Sequence, residues 1–353
     1  MSTTDWPDLL IQWYHMHARE LPWRSDPRPY DVWISEIMLQ QTQVDTVIPY
    51  FHRFRESFPA VEDLAAADLG DVLKQWEGLG YYSRAHNLHE AAGVVVDLHN
   101  GSLPDTFCEL RKLPGFGLYT AAAVASIAFG EPVPVVDGNV LRVFTRLFGD
   151  YDDVTQQKVK RSVFERLQPV IATVAPSDFN QGMMELGALI CRPRQPICAE
   201  CPLQKSCVAY RDGLTAALPV KSKRKPRPHY DVAVGVVWND DKVLIGRRPA
   251  GGMLGGLWEF PGGKHTSAES AADFVAQKVE AETGVRVTPE QVYCTVSHGY
   301  THFQITLTAW KCRYTGGGLE PNTHDKLQWV SWEKIDQYPF PKTALQVIAA
   351  VNE

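Results

Sequence analysis

The chain has no apolar run of bilayer length; its most apolar stretch is only residues 121–129. It has no excess of positive charge either. Thirty-five lysines and arginines stand against 41 acids, for a net charge of −6. The balance is uneven: residues 1–220 carry 19 basic and 27 acidic side chains, 221–229 carry five basic and none acidic, and 230–353 carry 11 and 14. Nucleic-acid binding therefore cannot rest on a basic domain; it would need backbone N–H groups and a few local cations aimed at phosphates. Internal repeats and long low-complexity tracts are missing. The start, MSTTDWPDLLIQWYHMH, lacks a basic leader and a plain apolar core. It reads as an amphipathic helix opened by Thr3, Thr4 or Asp5, not as a signal peptide. Seven cysteines without an export signal suggest a reducing compartment. Three of them, Cys108, Cys294 and Cys312, lie singly among apolar neighbours and read as small buried hydrophobes.

At 353 residues, two domains are the default. The stretch 218–230 has three prolines, five cations and no apolar periodicity, and reads as the linker. Before it, apolar residues recur at three and four over 31–41, 44–54, 84–98, 118–129, 139–148 and 157–171, which predicts helices. After it, 231–238 and 242–247 read as strands joined by a hairpin at Asn239-Asp240-Asp241. Residues 268–283 read as a helix, and 292–297, 303–314 and 327–332 as strands. The fold class is thus a mainly α N-terminal domain followed by an α+β C-terminal domain.

Four cysteines, Cys191, Cys198, Cys201 and Cys207, are separated by six, two and five residues, just past a helical segment at 179–190. Thiolates that close can converge on one metal centre. The spacing is not a usual zinc pattern, but four thiolates hold either zinc or an iron–sulfur cluster. A second element is Leu113-Pro-Gly-Phe-Gly-Leu-Tyr-Thr-Ala121. Pro114 ends any preceding helix, and Gly115 and Gly117 permit tight turns with positive φ before a helix starts near Leu118. Such a turn offers N–H groups to a phosphate without using lysine, although an ordinary αα-turn uses the same glycines. In Val135-Val-Asp-Gly-Asn-Val140, Asp137 reads as a helix N-cap that could also face a substrate. Glu36 lies among Trp33, Ile34, Ile37 and Met38, where desolvation would disfavour its ionised form and suit a general acid; a solvated helix residue is the plainer reading.

A glycine hairpin followed by C-x₆-C-x₂-C-x₅-C resembles the endonuclease III superfamily of helix-hairpin-helix DNA glycosylases. With SEIMLQQTQV, LPGFGLYTA, VVDGNV and FNQGMMELGALIC in order, the chain is similar to the MutY-type adenine DNA glycosylases over nearly its whole length. The resemblance implies a catalytic domain at 1–217, with a six-helix barrel at 22–131 (hairpin 113–129) and a cluster module from 1–21 and 132–217. It makes the metal a structural 4Fe-4S cluster on the four cysteines. Glu36 would protonate adenine at N7, and Asp137 would stabilise the sugar cation, with Tyr119 and Asn139 hydrogen-bonded around that carboxylate. Bifunctional members carry a Schiff-base lysine where Tyr119 stands, so the implied enzyme is monofunctional. Trp23, Arg24 and Gln181 would line the adenine pocket. Gln41, Thr42, Leu79 and Tyr81 would meet the opposite base, with Gln41 and Tyr81 as wedges. Gly115, Gly117, Arg192 and Arg194 would contact phosphates. The implied partner is duplex DNA with A opposite 8-oxoguanine or G, bound by a cytoplasmic monomer with no membrane association.

Residues 231–353 resemble a Nudix domain whose box, Gly263-x₅-Glu269 followed by Gln277-Lys-Val-Glu-Ala-Glu-Thr-Gly-Val285, has lost its chemistry. Lys278 puts a cation where a metal ligand belongs and Ala281 deletes another, which predicts no nucleotide hydrolysis. Tyr300, Thr301 and His302 would read 8-oxoguanine, the threonine hydroxyl accepting from N7–H. Three rivals remain: a bifunctional lyase on damaged pyrimidines, a nucleotide pyrophosphatase with a helical accessory domain, and a non-catalytic lesion binder.

Overall fold

The computed structural model describes residues 6–222, 226–266 and 270–353. The proposed helix openers Thr3, Thr4 and Asp5, the linker cations Lys223, Arg224 and Lys225, and Glu269 of the box lie outside the described residues. By internal contacts the chain forms two units. The first comprises 1–52, 60–65 and 90–224; the second comprises 53–59, 66–89 and 225–353. The sequence drew one boundary, in the linker; the contacts add two earlier segments to the second unit.

Among the described residues twelve α-helices precede the sheet: α1 (Trp6–His17), α2 (Pro29–Leu39), α3 (Val44–Ser57), α4 (Val61–Ala66), α5 (Leu69–Trp76), α6 (Ser83–His99), α7 (Phe107–Leu110), α8 (Leu118–Ala128), α9 (Gly138–Phe148), α10 (Gln157–Ile171), α11 (Pro176–Leu189) and α12 (Val208–Arg211). Six of them match the periodic segments within a few residues. Their stops are local: Pro29 and Pro176 open α2 and α11, and Gly149, at φ 67°, closes α9 in the left-handed conformation.

Within the first unit α8 is the pivot. Its run Ala121–Ala125 is fully buried. Side chains this small let α2 and α11 approach closely, and α8 packs against both. On its far side α11 packs against α9 and α1. Leu10, Trp13, Phe144, Phe179 and Met183 form the core between them. Burial of each such side chain stabilises by about 1.5–3 kcal/mol.

In the second unit, β1 (His229–Asn239), β2 (Lys242–Arg247), β3 (Trp258–Glu259), β4 (Gly262–His265), β5 (Val285–Gly299), β6 (Gln304–Gly317) and β7 (Lys326–Ser331) form one mixed sheet. β1 runs parallel to β6 along one edge; along the other it pairs antiparallel with β4 and then β2. Alternation along β1 sends Val234 and Val236 to one face and Ala233 and Val237 to the other. The helix α13 (Ala271–Thr283) covers the second face, and α14 (Lys342–Val351) covers the first. β5 begins seven residues earlier than its periodicity predicts. Pro289 interrupts the alternation, and the strand passes it through bulges at Arg286/Val287, Pro289/Gln291 and Val292/Cys294. Of the three single cysteines only Cys312 is buried; Cys108 is exposed and Cys294 intermediate, so apolar neighbours in sequence were a poor guide to depth. No helix among the described residues is long and apolar enough to cross a membrane.

Candidate active site

Glu36 lies on the buried face of α2, 5% exposed. The Tyr119 hydroxyl, from the first turn of α8, donates to its Oε2 at 2.5 Å. Burial raises the carboxyl to about 7; the tyrosine bond and the charge of Arg24 pull it down, and the charge of Asp137 pushes it up. Glu36 can therefore hold a proton near neutrality, with Oε1 left to deliver it. The Tyr119 phenol is itself pushed well up, by burial first and then by the Glu36 and Asp137 charges, so it stays a donor.

Asp137 caps α9: its Oδ1 accepts from Val140 N at 2.7 Å and its Oδ2 from Asn139 Nδ2 at 2.9 Å. Cap and functional readings are one geometry. The extended lead into the cap is clamped by Asn180 of α11, which accepts from Val135 N at 2.9 Å and donates to Val133 O at 2.9 Å and Ser126 Oγ at 2.8 Å. Burial raises the Asp137 carboxyl, while the Val140 and Asn139 bonds oppose it.

Behind Asn139 stands Arg142, 7% exposed. It donates to Asn139 Oδ1 at 2.8 Å, to Gly187 O at 2.6 Å and, through Nε, to Cys191 O at 2.7 Å. Because Arg142 takes the amide oxygen, the Asn139 NH₂ must face Asp137. Gly187 makes room for this contact: a Cβ there would lie 2.5 Å from Asn139 Cβ.

Tyr119, Asp137, Gly115, Gly117 and Gln41 all line a groove of about 1390 Å³ in the first unit. Arg111, Lys158, Lys160 and Arg161 line it too. Sequence reasoning missed these cations because the domain-wide charge is acidic; the cluster at 158–161 was the available signal. Gly115 has φ 74°, as the hairpin reading requires, but Gly117 has φ −71° and serves as the N-cap of α8, so only the first glycine needs its conformational freedom. No side chain caps the α8 N-terminus, leaving its first-turn N–H groups to the groove. Arg192 and Arg194 are exposed in the cysteine loop.

Other expectations change. Tyr119 bonds Glu36, not Asp137. Trp23 is buried edge-on against Phe51, a core role. Gln181 bonds Ser177 one turn back along α11. Arg24 instead pairs with Glu185 at 3.0 Å, together with Arg19 at 2.7 Å. Burial alone would raise the Glu185 carboxyl, but the two guanidinium groups hold it at about 2. Glu185 was missed although it stands in FNQGMMELGALIC; its partners lie more than 160 residues away in sequence. Leu79 is 6% exposed and packs inward, so it does not present a surface for base contact. Gln41 and Tyr81, the two wedges, are both exposed and both sit at positive φ, 59° and 50°. Such backbone is costly for side chains of this size and is usually retained where it aims a residue. Thr42 is partly buried, its hydroxyl 3.4 Å from Gln40 O.

The four candidate metal ligands lie within electrostatic reach of one another. Burial pushes the Cys201 thiol up to about 12, and the other three cysteines add to this. Cys191, Cys201 and Cys207 pack against the core of the first unit. The buried guanidinium of Arg146 sits 3.4 Å from Cys191 Sγ and donates to Arg192 O at 2.7 Å. Among the described residues no three ligand side chains are drawn into metal-binding geometry. Four thiols beside a buried cation nevertheless suit a centre that carries net negative charge.

In the second unit, residues 300–303 close the β5–β6 hairpin. Thr301 and His302 are exposed, and Thr301 Oγ1 lies 3.4 Å from the Tyr81 hydroxyl. Tyr300 is not a free wedge: its phenol bonds Thr343 and its ring packs on Phe303, 4.9 Å between centroids. Lys278 Nζ pairs with Glu282 Oε1 at 2.9 Å, while Glu282 Oε2 accepts from Gly262 N at 3.1 Å. The one acid of the box pair that survives is thus neutralised from within.

Residues 34–169 match the family described as HhH-GPD superfamily base excision DNA repair protein, and 233–350 match the NUDIX domain. The chain is 35% identical to rat adenine DNA glycosylase over 92% of its own length and 74% of that protein. It is 40% identical to the mouse adenine DNA glycosylase over 71% of its length, spanning 59% of the mouse protein. An endonuclease III bound non-covalently to DNA superposes on 61% of this chain and 99% of its own, with 26% identity and a TM-score of 0.52. A capped carboxylate and a glycine hairpin share one groove, with Tyr119 linking the buried acid to it; this agrees with these likenesses, and the chain belongs to the adenine DNA glycosylase family, within the helix-hairpin-helix superfamily of base-excision DNA repair proteins.

Proposed function

We propose that the chain excises adenine opposite 8-oxoguanine or guanine in duplex DNA by hydrolysing the N-glycosidic bond, without cleaving the strand. One observation carries the reading: Glu36 is buried, held by the Tyr119 hydroxyl and raised to about 7, within reach of the Asp137 charge. Glu36 gives its proton to adenine N7 and the C1′–N9 bond breaks with its electron pair leaving on the base. Asp137 offsets the positive charge left on the sugar, and water adds at C1′ and loses a proton. Tyr119 has no amine with which to form an imine, so strand scission through a Schiff base has no nucleophile at that position. Release of an abasic product from duplexes with A opposite 8-oxoguanine, G, C or T tests the reading. Strand breaks without alkali, or equal rates for all four, would contradict it.

The rate should peak near neutrality. Above about pH 7 the protonated fraction of Glu36 declines and the rate falls with it. On the acid side the rate falls as Asp137 takes up a proton, and burial places that limb above the ordinary aspartate range. Single-turnover rates against pH check this; a rate still climbing above pH 8 would remove Glu36 as the acid.

Cys191, Cys198, Cys201 and Cys207 would hold a 4Fe-4S cluster, which supplies a rigid staple for the loop that carries Arg192 and Arg194 and takes no part in bond breaking. Purified protein should be brown and should yield iron and acid-labile sulfide in a 1:1 ratio. A colourless protein with stoichiometric zinc would refute the cluster.

For the opposite base, the exposed pair Thr301 and His302 beside Tyr81 supports lesion reading by this hairpin. Replacing both with alanine should narrow the preference for A:8-oxoguanine over A:G by about tenfold, the scale of one lost polar contact. An unchanged ratio would place lesion reading elsewhere.

A further inference from the structure

The wedge Tyr81 and the hairpin at 300–303 both belong to the second unit. The loop that carries Tyr81 is strained: Gly78, Gly80 and Tyr81 sit at φ 91°, 79° and 50°. Backbone of this kind persists only where its surroundings over-determine it. Part of the support is local. Trp76 Nε1 donates to Gly80 O at 3.1 Å, and Arg84 Nη2 donates to the same oxygen at 3.0 Å. Both bonds stay within the loop and the helices that flank it.

The buried Tyr82 reaches farther. Its hydroxyl accepts from Gly78 N at 3.1 Å and donates to Phe340 O at 3.3 Å. Glu77 grips the same distant residue by its other backbone group, its Oε1 accepting from Phe340 N at 2.7 Å. Phe340 stands just before α14, and in the first turn of α14 Thr343 holds the Tyr300 phenol. Tyr300 leads into Thr301, whose Oγ1 lies 3.4 Å from the Tyr81 hydroxyl. The contacts close a ring, from the wedge through Tyr82, Phe340, Thr343 and Tyr300 to Thr301 and back.

Burial alone would be served better by an apolar ring at position 82, since a buried hydroxyl must find partners. Both of its partners here are backbone groups of the elements that carry the wedge and the hairpin. We infer that Tyr82 is a positioning residue for lesion discrimination, tying the wedge loop to the start of α14 so that Tyr81 and Thr301 meet the opposite base in fixed register. The inference rests on the reading that the 300–302 hairpin recognises 8-oxoguanine, and it adds the residue that sets the register. Guanine has no N7–H for the hairpin to meet, so the register matters for the lesion and not for its parent base.

Single-turnover base release from A:8-oxoguanine and A:G duplexes tests it in four proteins: wild type, Tyr82→Phe, the double variant Thr301→Ala with His302→Ala, and all three changes together. Tyr82→Phe keeps the ring and its packing. It should narrow the preference for A:8-oxoguanine about fivefold, the scale of one net hydrogen bond, and leave the A:G rate unchanged. Added to the hairpin variant it should narrow the preference no further, because residues acting through one contact are not additive. Glu77→Ala should also narrow the preference, whereas Glu77→Gln should not, since its amide oxygen still accepts from Phe340 N. An unchanged preference in Tyr82→Phe, beside a narrowed one in the hairpin variant, would overturn the coupling alone. So would an equal fall on both duplexes, which marks a merely structural role, or fully additive narrowing in the combined variant. An unchanged preference in the hairpin variant would overturn lesion reading by this hairpin, and the coupling with it.

Discussion

Glu36→Gln should lower adenine release by about a thousandfold, within the 10²–10⁴ range typical of a positioned general acid. The substitution changes little else. Gln keeps the size of the side chain, and its amide oxygen can still accept from the Tyr119 hydroxyl that now lies 2.5 Å from Oε2. A neutral side chain also removes a group that is costly to ionise at 5% exposure, so the fold should not suffer. DNA affinity should persist, since the groove contacts available to phosphate come from other residues, Arg111 and Lys158 among them. The measurement is single-turnover base release beside gel-shift affinity on the same A:8-oxoguanine duplex. A rate within tenfold of wild type would assign proton donation to another group.

Asp137→Asn should cost about as much, roughly 10³ in rate, because an amide cannot offset a developing cation. This variant separates chemistry from architecture. Asp and Asn are near-equal N-caps, so Val140 N keeps its acceptor and α9 keeps its start. The thermal midpoint should move by only a few degrees while activity collapses. If both fell together, Asp137 would be acting as a cap alone. Asn139→Ala offers a milder comparison: the carboxylate survives, but its 2.9 Å donor is gone and Arg142 loses an acceptor at 2.8 Å.

What was legible in the sequence follows the range of the interaction. Helices such as 139–148 and 157–171 announce themselves because three-to-four spacing is local. The short α4 and α5 escaped, since six or eight residues carry too little period. Asp137 and Asn139 were readable together, being two residues apart on one cap. The link from Tyr119 to Glu36 was not, because it spans 83 residues and depends on α8 lying against α2. Glu185 with Arg19 and Arg24, and Asn180 with the 133–135 lead, belong to the same class. Polarity gave the residue types, but only the packing of α11 chose their partners. Depth was misjudged at Leu79, which the flanking Gly78 and Gly80, both at positive φ, turn inward. Tyr300 was misplaced for a similar reason: nothing near it in sequence points to Thr343.

The ion pair between Lys278 and Glu282 bears on how the protein meets its surroundings. An ammonium that arrives with the polypeptide is present in every copy from synthesis onward and cannot be stripped by a chelator or starved by scarcity. The sheet-bearing half should therefore melt at the same temperature in EDTA as in millimolar magnesium.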